Sequence, residues 1–205
     1  MHQYKGKLII HTGSMFSGKT SSLEKDVKRF KIAGYKTLAF KPALDTRYTT
    51  SEIITHDETS LEAILVEDID GVLEVCKDYK PDVIAIDEVQ FLGGKIEKII
   101  AGFKDMLENE ITIILAGLDM DFSGEPFEVL KELMPISDYL TKHHAVCVKC
   151  GTDAWVSHRK TKDTERVVIG ATNEYEPLCR KCFLIEKKIE DALVNKNQVS
   201  FEDLK

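Results

Sequence analysis

The segment that decides the fold is a glycine-bearing turn between an apolar strand and a helix. It reads Gly13-Ser14-Met15-Phe16-Ser17-Gly18-Lys19-Thr20. These residues match the phosphate-loop pattern Gly-x-x-x-x-Gly-Lys-Ser/Thr at every specified position. An apolar strand is predicted before it at residues 7–11, and a helix after it at 19–33. Backbone N–H groups in such a loop converge on phosphate oxygens, and the helix N-terminus attracts the same anion. The segment therefore predicts a nucleotide-binding α/β domain.

Further strand-like runs alternate with helix-like ones over the first two thirds of the chain. Residues 37–41, 83–86 and 111–116 are apolar or β-branched runs, which are typical of strands covered on both faces. Apolar residues at 3.6-residue spacing predict a crossover helix around 96–107. We therefore predict an α/β fold in which helices flank a parallel P-loop sheet.

The chain divides by composition. Residues 45–60 are rich in Thr and Ser and predict a loop or an irregular hairpin. After about residue 141 cysteine pairs flank short polar pieces, and residues 183–195 predict a closing amphipathic helix. We predict a nucleotide-binding domain at 1–141, a small zinc-ribbon-like lobe at 142–195 and a C-terminal tail at 196–205.

Two carboxylates follow the apolar run at 83–86. Asp87 would emerge at the carboxyl end of that strand, the edge at which open α/β sheets bind ligands. There Asp87 and Thr20 would hold Mg²⁺, while Lys19 would reach the β- and γ-phosphates. Glu88 is then free to orient and deprotonate an attacking hydroxyl or water. We assign ATP binding to the phosphate loop at 13–20 and to Asp87, Glu88, Val89 and Gln90.

Charge and apolar content disfavour several classes of partner. The 205 residues include 28 basic and 35 acidic ones, for a net charge of −7 at pH 7. An acidic chain is a poor bulk binder of nucleic acid. No apolar run reaches the roughly 18 residues of a membrane helix, and the apolar start is too short for a signal peptide. We expect a cytoplasmic protein with neither a nucleic-acid nor a membrane partner.

Four of the five cysteines form two Cys-x2-Cys pairs, which are Cys147 with Cys150 and Cys179 with Cys182. Two such pairs can close a tetrahedral Zn²⁺ site, and four thiolates leave no open position, so the metal would be structural. A redox role for the pairs is the alternative. The fifth cysteine, Cys76, lies in a helical pattern and is expected to be a small buried side chain.

A phosphate loop with a zinc ribbon also fits a DNA-dependent ATPase. The segment between the cysteine pairs contains basic residues, but acidic residues lie among them and no basic stripe results. Arg159 in that segment is expected to be solvated. The neighbours His143 and His144 are expected to be structural, because adjacent residues of a strand point to opposite faces.

Several motifs occur together and in order. They are residues 13–20, Asp45-Thr46-Arg47, His56-Asp57, Ile86-Asp87-Glu88-Val89-Gln90-Phe91, Gly117-Leu118-Asp119 and the two cysteine pairs with Tyr175. On these motifs, from about residue 7 to 185, the chain resembles the cellular, zinc-containing thymidine kinases of bacteria, animals and poxviruses. The resemblance implies that ATP-Mg phosphorylates the 5′-hydroxyl of deoxythymidine, giving dTMP and ADP for DNA synthesis. It also implies a homotetramer and feedback inhibition by thymidine triphosphate.

The resemblance also implies roles for single residues. Glu88 matches the general base. Independently of the resemblance, a guanidinium beside the triphosphate would suit Arg47 to stabilise charge on the transferring group. The segment between the cysteine pairs matches a "lasso" that folds over the nucleoside. The residues implied in nucleoside binding are Met15, Asp45, Phe91, Leu118, Phe122, Phe127 and, on the lasso, Ser157, Val168, Ile169, Gly170 and Tyr175. Core packing is the alternative for each phenylalanine, and a surface position for Asp45 and Arg47.

Overall fold

The computed structural model describes residues 5–43, 52–54, 60–160 and 174–189. The strands are β1 (Leu8–Gly13), β2 (Thr37–Pro42), β3 (Glu52–Ile54), β4 (Ser60–Glu62), β5 (Ile64–Val66), β6 (Val83–Ile86), β7 (Thr112–Gly117), β8 (Tyr139–His143), β9 (Val156–Arg159) and β10 (Tyr175–Leu178). The helices are α1 (Lys19–Ile32), α2 (Ile69–Tyr79), α3 (Ile96–Glu108), α4 (Glu128–Leu133) and α5 (180–189), with 3₁₀ turns at Val89–Phe91 and Met134–Ile136.

Six strands form a parallel sheet in the order β5-β2-β6-β7-β1-β8. Strand β7 lies between β1 and β6, so that Ile114 is opposite Ile9 on one side and Ala85 on the other. The phosphate loop follows β1 and the paired carboxylates follow β6. Because parallel strands end at one edge, both segments reach the same edge of the sheet.

The core lies on both faces of this sheet. On one face α1 packs Leu23 and Val27 against alternate strand residues such as Ala85. On the other face the buried residues of α2, α3 and α4 cover the intervening ones, as Phe103 does with Ile84. Every residue of β6 is buried, which explains its continuous apolar sequence. The predicted parallel α/β sheet is confirmed.

Two strands of the sheet were not predicted. Strand β8 is mostly exposed, with Tyr139 and Leu140 about half accessible, and it pairs only with β1 among the described residues. An exposed edge strand carries no apolar run that would reveal it. Strand β5 at the other edge has three residues. The predicted domain boundary at 142 falls inside β8, which continues to His143.

Other sequence expectations map onto the structure in part. Within 45–60, β3 pairs antiparallel with β4, which starts at the last residue of that stretch. Cys76 is buried in α2, as predicted, and burial raises its pKa to about 11. The closing helix is described from residue 180 to 189. In the part of the chain that the structure describes, no helix has the length and apolar character needed to cross a membrane.

A small lobe follows the sheet. Its strands β9 and β10 pair antiparallel, and Val156, Leu178 and Phe183 form a core with the cysteines. Trp155 meets Phe183 edge to face, with ring centroids 5.6 Å apart. This cluster is much smaller than the sheet's core, so the lobe needs a further source of stability.

Candidate active site and metal centre

The phosphate loop depends on a glycine at its first position. Gly13 has φ +135°, and a Cβ on it would lie 2.1 Å from the carbonyl oxygen of His143 on β8. No side chain fits between the loop and the edge strand. Gly18 has φ +83° at the N-cap of α1, so the chain can turn sharply into the helix. These two backbone positions shape the loop as an anion-binding turn.

Lys19 lies inside the loop that would hold phosphate. It is 7% exposed, and its Nζ donates to the carbonyl of Ser14 over 2.8 Å. Burial lowers the pKa of Lys19, an effect that the nearby carboxylates Glu88, Asp87 and Asp119 oppose. A buried cation close to polar backbone suits an anionic ligand.

Two hydroxyls of the loop point to the same kind of ligand. Within the described residues, the Oγ atoms of Ser14 and Ser17 are buried and have no hydrogen-bond partner. Unpartnered buried hydroxyls are costly, and phosphate oxygens would accept from them. The loop is therefore chemically suited to a nucleotide.

The structure brings Thr20 and Asp87 together from α1 and the end of β6. The Thr20 hydroxyl lies 3.2 Å from both carboxylate oxygens of Asp87, which is 5% exposed. Burial, followed by the neighbouring Glu88 carboxylate, raises the pKa of Asp87 to about 7. Hydroxyl and carboxylate oxygens next to a phosphate loop are the ligands that Mg²⁺ prefers. Thr20 and Asp87 therefore fit the predicted ion.

Glu88 is held in an unusual backbone conformation. It has φ +53° and ψ +40°, and its carbonyl accepts the N–H of Phe91 over 3.0 Å. Its carboxylate accepts a hydrogen bond from the Gln90 side chain. Such left-handed positions are uncommon outside glycine and often occur at functional sites. Val89 lies between Glu88 and Gln90, and its side chain is fully buried in the core. Only its backbone could therefore contact a nucleotide.

Aromatic side chains follow β6 and β7. Phe91 and Phe127 meet edge to face with centroids 6.1 Å apart, and Phe127 is buried at the N-cap of α4. Leu118 and Phe122 are half-buried in the segment after β7. These four residues lie in the segments that follow the two strands, and a nucleoside-binding role for them remains a prediction.

Arg159 is buried, which contradicts the expectation that it is solvated. It is 2% exposed and its guanidinium lies 3.9 Å from the centroid of the Phe122 ring. It also donates to the Tyr175 hydroxyl over 2.8 Å. A guanidinium stacks well on aromatic faces, and the antiparallel register of β9 and β10 places Arg159 opposite Tyr175. All four residues of β9 are buried, so no alternation in the sequence could reveal this position.

The small lobe touches the phosphate loop directly. The N–H of Met15 donates to the Oγ of Ser157 over 2.8 Å, and Ser157 is buried in β9. The next loop residue, Phe16, is 37% exposed with φ +64°. The structure thus brings Ser157 and Tyr175 to the same end of the molecule as Met15.

The four paired cysteines meet in one cluster. The Sγ atoms of Cys147, Cys150, Cys179 and Cys182 all lie within 4.8 Å of one another. The Sγ atoms of Cys150 and Cys179 are 3.6 Å apart, close to the roughly 3.8 Å expected between ligands of a tetrahedral Zn–S₄ site. Burial disfavours the Cys147 thiolate, but hydrogen bonds from nearby backbone groups lower its pKa to about 6. The cluster is a metal-binding site of zinc-ribbon type.

The two adjacent histidines have different partners. Nε2 of His143 lies 3.1 Å from Nδ1 of His11, whose Nε2 lies 3.1 Å from Asp26. His144 Nδ1 lies 3.0 Å from the carbonyl of Ala154 in the small lobe. The one metal-binding group among the described residues is the cysteine cluster, and neither histidine belongs to it.

Several predicted site residues fall in segments that the structure does not describe. Asp45 and Arg47 lie outside the described residues, as do Val168, Ile169 and Gly170. One ion pair was also not predicted from the sequence. Asp119, buried after β7, accepts from Lys142 of β8 over 2.6 Å. Only the pairing of β8 with β1 brings this lysine to the site.

The parallel sheet, the phosphate loop and the four-cysteine lobe define a protein of the P-loop α/β class with an appended metal-binding ribbon. A sequence model of the thymidine kinase family matches residues 6–183, and the chain belongs to that family. A thymidine kinase of Bacteroides thetaiotaomicron is 42% identical over 180 residues, with 88% of each chain covered. One of Coprothermobacter proteolyticus is 39% identical, covering 85% of this chain and 88% of the relative.

A solved structure shares the fold at low identity. The flagellar accessory protein FlaH from Methanocaldococcus jannaschii superposes with a TM-score of 0.52 at 18% identity. The match covers 73% of this chain and 75% of that one. At this identity the likeness concerns the fold alone.

Proposed function

We propose that the protein transfers the γ-phosphate of ATP to the 5′-hydroxyl of deoxythymidine, giving dTMP and ADP for DNA synthesis. The observation that carries this proposal is one edge of the sheet in a thymidine kinase family member. There the phosphate loop and the Thr20–Asp87 pair lie at the sheet edge where Glu88 is followed by Phe91, which packs on Phe127. A phosphate-binding loop next to an apolar pocket suits a nucleoside acceptor.

The described residues divide the reaction between them. The loop N–H groups and Lys19 would hold the triphosphate, and Thr20 with Asp87 would hold Mg²⁺. Bound there, Mg²⁺ would neutralise charge on the phosphates. Glu88 would accept the proton of the 5′-hydroxyl as the phosphoryl group transfers. Arg47, from a segment outside the described residues, would stabilise charge on the transferring group.

We place the nucleoside in a slot between the sheet edge and the small lobe. Phe91, Leu118 and Phe122 would wall the base, with Phe127 behind them. Buried Arg159, stacked on Phe122 and bonded to Tyr175, would brace that wall. The remaining contacts proposed for the nucleoside are Met15, Asp45, Ser157, Val168, Ile169 and Gly170.

The wider assignments are part of the same proposal. The cysteine cluster would hold a structural Zn²⁺ that stabilises the small lobe and the lasso anchored to it. We propose thymidine triphosphate as feedback inhibitor, a homotetrameric assembly and a cytoplasmic location. We propose that the chain divides into a nucleotide-binding domain at 1–141, a zinc lobe at 142–195 and a C-terminal tail at 196–205.

An ATP-consumption assay tests the function. The zinc-loaded protein with Mg²⁺ is offered a panel of nucleosides and, separately, single-stranded DNA. We expect ADP release that depends on thymidine, with dTMP as the second product. ADP release stimulated by DNA, without any response to a nucleoside, would overturn the proposal in favour of a DNA-dependent ATPase.

A further inference from the structure

We propose that Gln90 is a positioning residue, which holds the carboxylate of Glu88 in the orientation that accepts the substrate's proton. The inference rests on the function proposed above. Gln90 is 8% exposed, and both ends of its side-chain amide are engaged. Its Nε2 donates to Glu88 Oε2, and its Oε1 accepts the N–H of Leu118 over 3.0 Å.

The two partners fix which way the amide faces. A backbone N–H requires an acceptor, so the oxygen of Gln90 must face Leu118. A carboxylate requires a donor, so the amide nitrogen must face Glu88. The flipped amide would set oxygen against oxygen and N–H against N–H. The amide of Gln90 therefore has a single orientation, and its hydrogen bond restricts the orientation of the Glu88 carboxylate.

The neighbouring strand makes room for this arrangement. Gly117 is the last residue of β7, and a Cβ on it would lie 2.6 Å from Oε1 of Gln90. The same Cβ would lie 3.0 Å from the Val89 side chain. A side chain at position 117 would displace the amide from the Leu118 N–H. The absence of a side chain is therefore what allows β7 to anchor Gln90.

The other charged groups around Glu88 are committed elsewhere. Lys19 and Asp87 both interact with it electrostatically. Nζ of Lys19 binds the carbonyl of Ser14, and the carboxylate of Asp87 faces Thr20. Among the described residues, Gln90 is the side chain that hydrogen-bonds the Glu88 carboxylate.

This arrangement gives Gln90 a role different from the ATP contact expected from the sequence. Its amide is directed at the proposed base and at Leu118, a proposed wall of the nucleoside slot. The orientation of the base and the position of that wall therefore share one side chain. Misplacing a reacting group by about 1 Å can lower a rate about 100-fold, so such an anchor affects kcat.

The first test is steady-state kinetics of Gln90→Met, which keeps the size of the side chain and removes both hydrogen bonds. We expect kcat to fall about 10- to 100-fold, with KM for ATP within about twofold of wild type. Gln90→Asn keeps an amide but is too short to reach both partners, so it should lose a similar factor and serves if the Met variant does not fold. Asn109→Leu is the control, since it removes an amide–backbone hydrogen bond at the exposed end of α3.

The deciding measurement is a double-mutant cycle with Glu88→Gln. If Gln90 acts through Glu88, adding Gln90→Met to Glu88→Gln should change kcat by less than about threefold. Equal fold losses in both backgrounds would overturn the inference. So would a raised KM for ATP with kcat unchanged, because that result describes an ATP contact.

A spectroscopic readout separates this inference from the proposed function. The Gln90 side-chain amide, assigned by its loss in Gln90→Met, should give a downfield proton resonance that moves upfield in Glu88→Gln. If the chemical shift of this amide proton is unchanged in Glu88→Gln, the positioning role is overturned. Wild-type protein without thymidine-dependent turnover would overturn the proposed function instead, and the amide resonance would still decide the role of Gln90.

Discussion

The backbone N–H of Met15 donates to the Ser157 hydroxyl over 2.8 Å, which joins two segments 142 residues apart. Ser157 pairs with Pro177 across β9 and β10, and Pro177 lies two residues before Cys179 of the metal cluster. The cysteine lobe is thereby connected to the phosphate loop through a two-stranded ladder and one hydrogen bond. We therefore expect a metal bound by the cysteines to affect the phosphate loop by this route.

The Ser157 hydroxyl should matter for binding more than for chemistry. Ser157→Ala leaves the Met15 N–H without its acceptor, so we expect KM for ATP and thymidine to rise about 3- to 10-fold. Ser157→Thr keeps a hydroxyl and is the matched control, with KM values near those of wild type. Steady-state kinetics measures both variants. Equal effects of the two substitutions would show that this bond is unimportant.

Glu88→Gln tests the proposed base. It replaces the carboxylate by a group of the same size that cannot take a proton. We expect turnover to fall by about 10²–10⁴, the usual contribution of a positioned base, while ATP and thymidine still bind. Calorimetric titration and product release measure the two properties. Unchanged turnover would move the proton transfer to Asp87 or to water.

Asp87 should make the metal-free fold sensitive to pH. Because burial raises its pKa to about 7, the protonated form favours folding, and that stability is lost as pH rises from about 4 to about 7. In protein free of Mg²⁺ and nucleotide, Asp87→Asn should therefore raise the melting temperature at pH 8, and less so at pH 5. Each kcal/mol corresponds to roughly 2–4 °C for a chain of this size.

The same substitution should remove Mg²⁺-dependent ATP binding, since Asp87 and Thr20 form the proposed metal site. Asp105→Asn on the exposed side of α3 is the control and should change neither property. A shift in melting temperature that is equal at pH 5 and pH 8 would contradict the account of Asp87.

Zinc should be present at one ion per chain. Elemental analysis of reduced, purified protein measures it, and a strong chelator should lower the melting temperature by releasing it. Cys179→Ser should reduce both zinc content and thymidine affinity, because Cys179 follows the β10 strand that pairs with Ser157. Cys76→Ser, with its thiol buried in α2 away from the cluster, should keep its zinc. Metal-free protein with full stability would rule out a structural ion.

Thymidine triphosphate should inhibit by occupying both halves of the site. Its base would enter the slot near Phe91 and Phe122, and its phosphates would run to the loop and Lys19. No 5′-hydroxyl remains to accept a phosphoryl group. We expect inhibition that is competitive with thymidine and weakened by excess ATP, with the monophosphate a much poorer inhibitor. A monophosphate of equal potency would show that the phosphate loop takes no part.

Local patterns in the sequence determined the class of the protein. The loop at 13–20 is a contiguous motif, and the buried run at 83–86 ends directly in Asp87 and Glu88. The spacing of the two cysteine pairs likewise predicts one tetrahedral cluster. These features follow from periodicity and from the spacing of residues along the chain. They can therefore be predicted from one amino-acid sequence.

Tertiary structure alone decided how these parts meet. The edge position of β8, the burial of Arg159 on Phe122, and the Met15–Ser157 bond depend on pairings between distant segments. The two bonds of Gln90 likewise require β6 and β7 to lie side by side with a glycine at position 117. Neither exposed edge strands nor fully buried polar strands show a hydrophobic alternation. Their contacts are set by sheet order and register, which no local pattern encodes.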